Sequence, residues 1–462
     1  MAPAKPSARA ISQQAFDEMV KENIDDLGME PTEALSDAIE TLTLQGVDLS
    51  GIVTSTLPGE TNPVIQSLDR IKQLQSSDWT DETVLEEALD LFDNLTALSR
   101  IEGSGNAAIA TRNGGIELMC SVCSKLSEFR RDSALASALN ALAAFPHDIQ
   151  STETFRQSGG PKLVIGTLTD KTQSTNILNS AFSVVAASAT GNEVLKESYV
   201  ELHIDELILK IMKNHTKGNI PSLYDTIRVL LAADDNRVVA SQVYGYARRF
   251  AKIGITEALV DSLNEGLNSS SLVSITIALK AIAVNDEICR SVAEKGGIDS
   301  LLICIDESGI QGNKTVAKSC CSLLSKLAGS DFNKSAIIER KGLNRLITLS
   351  SRLGDDPSVI QEVMSIICTL CLRSPDNAAM AMEAGAGELA IQSMKKFPEA
   401  SQLQKNSCLM IRNLVARNTE NRSILLSNGI EKVIRNAKES HKCCKDAGTA
   451  ALRDLGLENY NL

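Results

Sequence analysis

A short apolar helix, a turn built on one or two glycines, and then an Ile or Leu recur along most of this chain at intervals of about 44 residues. The pattern reads Asn106-Ala-Ala-Ile…Gly114-Gly115-Ile116, then Thr152…Gly159-Gly160-Pro161, and returns as Ile288…Gly296-Gly297-Ile298. Further copies end at Gly342-Leu343, Gly385-Ala386 and Gly429-Ile430. Gly115 and Gly160 lie 45 positions apart, Gly342 and Gly385 lie 43, and Gly385 and Gly429 lie 44. A unit of this length cannot bury its own apolar face, so a fixed period means that neighbouring units stack into one continuous core. The chain therefore has to be a solenoid, and its 462 residues need not be divided among separate globular cores.

Each unit reads as a short first helix followed by two longer ones. Asn192, Asn236, Asn333, Asn377 and Asn421 mark the starts of first helices, where an Asn side chain accepts a bond from an unpaired first-turn amide. Glycine lets the chain turn at positive φ and lets helices approach closely. Third helices close in similar strings, Ala138-Leu-Asn-Ala-Leu142, Ala278-Leu-Lys-Ala-Ile282, Leu323-Leu-Ser-Lys-Leu327, Met410-Ile-Arg-Asn-Leu414 and Ala451-Leu-Arg-Asp-Leu455. With 43% hydrophobic but only 3% aromatic residues, the composition suits helices packed through Ala, Leu, Ile and Val. The expected fold is all-α, a right-handed solenoid of about eight repeats over residues 82–457, closed by a polar tail at 458–462. The unit at 191–235 departs from the pattern, because Glu201 stands where a Gly is expected.

Residues 1–80 read as a separate helical arm. Ile11, Phe16, Val20 and Ile24 have helical spacing, Pro31 opens a second helix, and turn residues make 52–66 a linker. The first 100 residues hold 19 Asp and Glu against 6 Lys and Arg, while the whole chain is −12, so the repeats are close to neutral. That balance excludes a general nucleic-acid binder. The acidic arm is expected to be a solvated tail; the competing expectation is that it covers basic positions such as Arg228, Lys280 and Lys326.

The capped short helix, the Gly-Gly-Ile/Leu turn and the Ala-Leu-x-Asn-Leu-like close of the third helix together resemble the armadillo repeat. At both ends the chain is similar to the armadillo repeat-containing protein six family, through Phe16…Glu22-Asn-Ile, Gln45-Gly-Val-Asp-Leu-Ser50, Arg373-Ser-Pro-Asp-Asn377 and Met410-Ile-Arg-Asn-Leu-Val-Ala416. The resemblance implies an armadillo solenoid whose third helices line a concave binding face, with no catalytic residues. It implies a non-enzymatic scaffold or adaptor for protein partners; the alternative is a regulatory or chaperone-like subunit acting on one enzyme such as a GTPase. In peptide-binding relatives an Asn on the third helix clamps a peptide backbone, since an amide offers a donor and an acceptor together. The matching positions here are Ala141, Ala281, Lys326, Thr369, Asn413 and Asp454, so only Asn413 keeps the residue, and a nuclear-import receptor is not expected.

The candidate partner site lies in the middle of the chain. Asn236 to Gly254 spans 18 positions where other units use about 8–10, and the extra segment holds Tyr244, Tyr246, Arg248, Arg249, Phe250 and Lys252. Insertions in solenoids fall in loops on one face, and Tyr and Arg recur at interface hot spots. With Lys326, Arg412 and Asn413 on third helices, Tyr244, Tyr246, Arg248, Arg249 and Lys252 form the expected partner-binding set; the competing expectation for the insertion is a lengthened first helix with buried aromatics. Metals and cofactors are not expected: Cys120-x-x-Cys123 and Cys368-x-x-Cys371 have zinc-like spacing but sit in separate apolar stripes. Gly385-Ala-Gly387 fits a dinucleotide fingerprint by letter but follows no strand. No 18-residue apolar run and no secretory leader occur, so the expected location is cytosolic, with the nucleus open as a second compartment.

Overall fold

The computed structural model describes residues 9–49, 52, 54, 62–170, 174–214, 220–233 and 240–461. Asn236, read as a helix start, lies outside them. Four helices come first: α1 (Gln13–Asp25), α2 (Pro31–Leu44), α3 (Pro63–Leu74) and α4 (Glu82–Ser99). The next helices group in threes. They are α5 (Asn106–Arg112), α6 (Gly115–Glu128) and α7 (Asp132–Ala143); α8 (Ile149–Gln157), α9 (Gly160–Thr169) and α10 (Thr175–Ala189); and α11 (Glu193–Glu201), α12 (Ile204–Asn214) and α13 (Pro221–Leu230). The series continues with α14 (Ala240–Ile253), α15 (Ile255–Leu263) and α16 (Leu272–Ile282), then α17 (Asp286–Glu294), α18 (Gly297–Gln311) and α19 (Lys314–Leu327). It ends with α20 (Asp331–Glu339), α21 (Gly342–Arg352) and α22 (Pro357–Cys371); α23 (Pro375–Glu383), α24 (Ala386–Lys396) and α25 (Ser401–Val415); and α26 (Thr419–Ser427), α27 (Ile430–Ser440) and α28 (Lys445–Asp454). Among the described residues the only strands are β1 (Arg9–Ala10) and β2 (Val47–Asp48), a two-residue parallel pair.

The chain forms two compact units, one of Met1–Leu207 with Ala233–Val239, the other of Ile208–Ala232 with Ala240–Leu462. In the first, the arm has a core of its own: Phe16 and Val20 of α1 close on Ala34, Ala38 and Leu42 of α2, with Ile52 beneath. Asn23 ties the two helices by donating to the Ala34 carbonyl and the Asp37 carboxylate. The expected linker ends early, because Asn62 caps α3 at 2.7 Å from the Val64 amide and Pro63 takes the first helical position.

Third helices stack directly on one another within each unit, α4 on α7 on α10 in the first and α13, α16, α19, α22, α25 and α28 in the second. A helix held between two others must be apolar on more than one stripe. In α22 this accounts for Val359, Ile360, Val363, Met364, Ile366, Ile367 and Leu370, all buried.

The glycine turn does two separate jobs. The residue before each second helix sits in the left-handed region: Gly114, Gly159, Gly254, Gly296, Gly385 and Gly429, but also His203 and Lys341. The residue after it starts the helix, and there a Cβ on Gly115 would lie 2.7 Å from the Ala110 carbonyl oxygen and one on Gly342 2.7 Å from that of Ile337. The repeat at 191–235 therefore turns at His203 (φ 58°), two residues beyond Glu201, which ends α11. A left-handed L-residue costs about 1–2 kcal/mol, which the packing of that turn has to cover.

Three of the five marker asparagines are not caps. Ser330, Ser374 and Asn418 precede α20, α23 and α26, while Asn333, Asn377 and Asn421 occupy the third helical position. Their amides donate instead to carbonyls that end the preceding third helix, Asn333 to Leu327 (3.1 Å), Asn377 to Leu370 (2.9 Å) and Asn421 to Leu414 (2.7 Å). Those carbonyls have no partner within their own helix, so the side chain supplies one. Asn333 also reaches the Cys289 carbonyl of the previous repeat at 2.9 Å, and Asn421 that of Ala378 at 3.3 Å. Asn192 does cap α11, and its amide bonds back to Thr152 of the previous repeat at 2.8 Å.

Nine of the eleven cysteines are buried. Burial pushes the Cys120 and Cys371 thiols up to about 12 and Cys368 to about 11, which disfavours the thiolate that a metal would need. Cys443 alone is exposed. At pH 8 the native protein is expected to give one fast equivalent with a charged disulfide reagent, against eleven in denaturant; several fast equivalents would show that the third-helix core opens readily.

Candidate interaction surfaces on the third-helix rows and helix α14

The expected partner-binding residues fall in two places. Tyr244, Tyr246, Arg248, Arg249 and Lys252 lie on α14, a continuous helix of 14 residues packed on α15 and α16. The extra residues lengthen a helix and form no loop, because the segment keeps an apolar face: Ala247 and Phe250 are fully buried. The opposite face presents Tyr244, 44% exposed, with Arg248 and Lys252. Lys326, Arg412 and Asn413 lie on third helices, Lys326 on α19 and the other two on α25, with α22 between. Asn413 donates to the Cys368 carbonyl at 2.8 Å, so the donor expected to clamp a peptide instead ties α25 to α22.

Arg412 stands in a cleft of about 310 Å³ with Asp454, whose carboxylate accepts from its Nε at 3.2 Å. Arg373 and Arg417 line the same cleft. Each follows the C-cap of a third helix and precedes the N-cap of the next first helix, and both have φ 62°. Gly191 (φ 70°) takes the equivalent place after α10. Both turns thus hold an arginine, at a strain of about 1–2 kcal/mol each, in backbone that glycine takes freely. Neither guanidinium has a hydrogen-bond or ion-pair partner among the described residues, although Arg373 is near enough to Asp331 to help hold that carboxyl down after Lys334.

The first unit has a different surface. Between α7 and α10 a cleft of about 550 Å³ is lined by Asn140, Asn176 and Asn179 with Ser133 and Ser137. In α7 the position matched to the peptide-clamping Asn is Ala141, which is fully buried; the outward position is Asn140, one residue earlier. The five-residue closing string carries no mark of which of its residues faces out. A third surface joins Ile277 and Lys280 of α16 to Lys318 of α19 around about 320 Å³, where Lys280 donates to Ser322 at 2.6 Å.

Three-helix repeats with stacked third helices, glycine turns and inter-repeat asparagine bonds define an armadillo-repeat protein. Two solved structures share the fold: an engineered protein (TM-score 0.55, 18% identity, 86% of this chain and 99% of the other), and one from work on a phosphorylation switch controlling the interaction between cadherin and beta-catenin (TM-score 0.58, 14% identity, 96% and 81%). The chain belongs to the armadillo repeat-containing protein 6 (ARMC6) family, whose profile matches residues 64–460 and whose N-terminal domain matches residues 8–77. It is 27% identical to the human armadillo repeat-containing protein 6 over 398 residues (81% of this chain, 76% of that one) and 24% identical to the Drosophila melanogaster homolog over 391 residues (82% and 80%).

Proposed function

We propose that the chain is a non-enzymatic scaffold or adaptor that docks segments of protein partners along its third-helix rows, with α14 as a second contact. The observation that carries this reading is the directly stacked third helices, whose outward positions hold amides, hydroxyls and arginines side by side, as in the Asn140–Asn176–Asn179 cleft. An amide can pair both polar groups of a peptide unit, and such a row repeats that chance at each turn of the array. The exposed Tyr244, Arg248 and Lys252 supply aromatic and cationic contact at a helix longer than the 7–9 residues of the other first helices. A cytosolic setting fits the eleven unpaired thiols, and no helix among the described residues is long and apolar enough to cross a membrane.

Capture from cell lysate tests the reading. Asn140→Ala with Asn176→Ala, both lining the cleft, is expected to cut recovery of at least one partner by about tenfold, the loss of roughly 1.4 kcal/mol. Arg248→Glu with Arg249→Glu is expected to lose a partner through α14. Recovery unchanged by either pair of substitutions would defeat the scaffold mechanism on these surfaces.

A further inference from the structure

We propose that the arginine cleft between α22, α25 and α28 receives a phosphorylated serine or threonine of a partner segment. The inference rests on the scaffold reading above and names the chemistry of one of its surfaces. The cleft is lined by Arg373, Arg412, Arg417 and Asp454 as its only charged groups, so it carries a net two positive charges. The repeats are close to neutral, because the acidic excess lies in the first 100 residues, so this is a local concentration of positive charge.

Three features point to one compact dianion. First, Arg412 is already oriented by Asp454 through its Nε, which leaves the terminal amino groups of the guanidinium for a ligand. Second, Arg373 and Arg417 have no hydrogen-bond or ion-pair partner among the described residues and stand on left-handed backbone of the kind that Gly191 takes without strain after α10. Strain kept at two equivalent positions is accounted for by what the side chains bind. Third, the space is small, about 310 Å³. A phosphate ester brings about two charges on one tetrahedral group and accepts paired bonds from planar guanidiniums. Two neighbouring carboxylates on an extended segment point to opposite sides and cannot both enter. Nucleic acid would bring phosphate too, but as a continuous polyanion, and one small cleft of net two positive charges among near-neutral repeats is not the extended basic footprint such a ligand needs.

The test uses the full chain, immobilised, and three degenerate peptide pools that differ only at the centre: phosphoserine, serine, or Glu-Glu. The phosphoserine pool is expected to be retained about tenfold more than either of the others. In Arg373→Gly/Arg417→Gly that ratio should fall to about one, while the thermal midpoint stays level or rises, because Gly191 shows that the turn accepts glycine. Arg417→Lys keeps the charge without the fork and should lose most of the preference. Equal retention of the phosphoserine and Glu-Glu pools would overturn the proposal, and so would a preference that survives the double substitution. If lysate capture still depends on the third-helix rows while the pools are not distinguished, only this inference fails.

Discussion

Asn333→Asp is expected to destabilise the second unit by about 3–5 kcal/mol at pH 7, more than the roughly 2–3 kcal/mol expected for Asn333→Ala. The two residues have nearly the same shape, so the difference isolates the polarity of one atom. Asn333 is fully buried, and its amide donates to both the Cys289 and Leu327 carbonyls. Alanine removes the donor from both carbonyls, although that of Leu327 keeps the Ser330 amide at 3.2 Å. Aspartate does that and also turns an anion toward them. Burial among carbonyls would raise the new carboxyl above its unfolded value of about 3.9. The sign follows directly: the variant keeps most stability below pH 4, where the acid is neutral and can donate one bond. It then loses stability as pH rises through the raised folded value. Urea midpoints at pH 4 and pH 7 check this, and an Asp variant no worse than the Ala variant at pH 7 would contradict it.

Lys196→Met is expected to cost the first unit about 3–5 kcal/mol, the range for removing one partner of a buried ion pair. The Lys196 side chain is 0% exposed, and its ammonium lies 3.0 Å from the Glu193 carboxylate, itself 13% exposed, one turn earlier on α11. Methionine preserves the stem and its packing, so the loss reports the charge. Adding Glu193→Gln should restore part of the stability, because the stranded carboxylate goes too. Hydrogen exchange across α11, read with the urea midpoint, locates the effect in a repeat array that need not unfold in one step. A cost below about 1 kcal/mol would place the pair with surface ion pairs.

Both positions show how far a sequence can be read. The period marks Asn333, and a cap is the commonest local role for Asn at a helix start. Its actual partners are the Leu327 carbonyl, 6 residues back, and the Cys289 carbonyl, 44 residues back. Only stacking makes the second bond available. Lys196 carries no mark in the sequence, since nothing local separates it from a solvated lysine. The arginine cleft is similar: Arg373 and Arg417 are 44 positions apart, and the αL turn that aims each one is not written in a residue type that prefers it. Helix α14 was noticed by its length, yet whether the extra residues formed a loop or a helix turned on where Ala247 and Phe250 could be buried.

What the sequence determined by itself was the class of fold. A 44-residue period, glycine at the turns and apolar stripes of helical spacing admit one kind of solution, because each repeat must bury its face on the next. The paired residues at both ends of the chain named the family for the same reason, since they are local strings. The tertiary structure decided which polar residues staple the repeats and which stay at the surface. Asn413, Asn333 and Arg417 look alike as polar residues at repeat positions, but the first two spend their donors on neighbouring backbones and the third faces an open cleft. Periodicity sets where a residue stands in its helix; the distance to the next helix sets what its hydrogen bonds can reach.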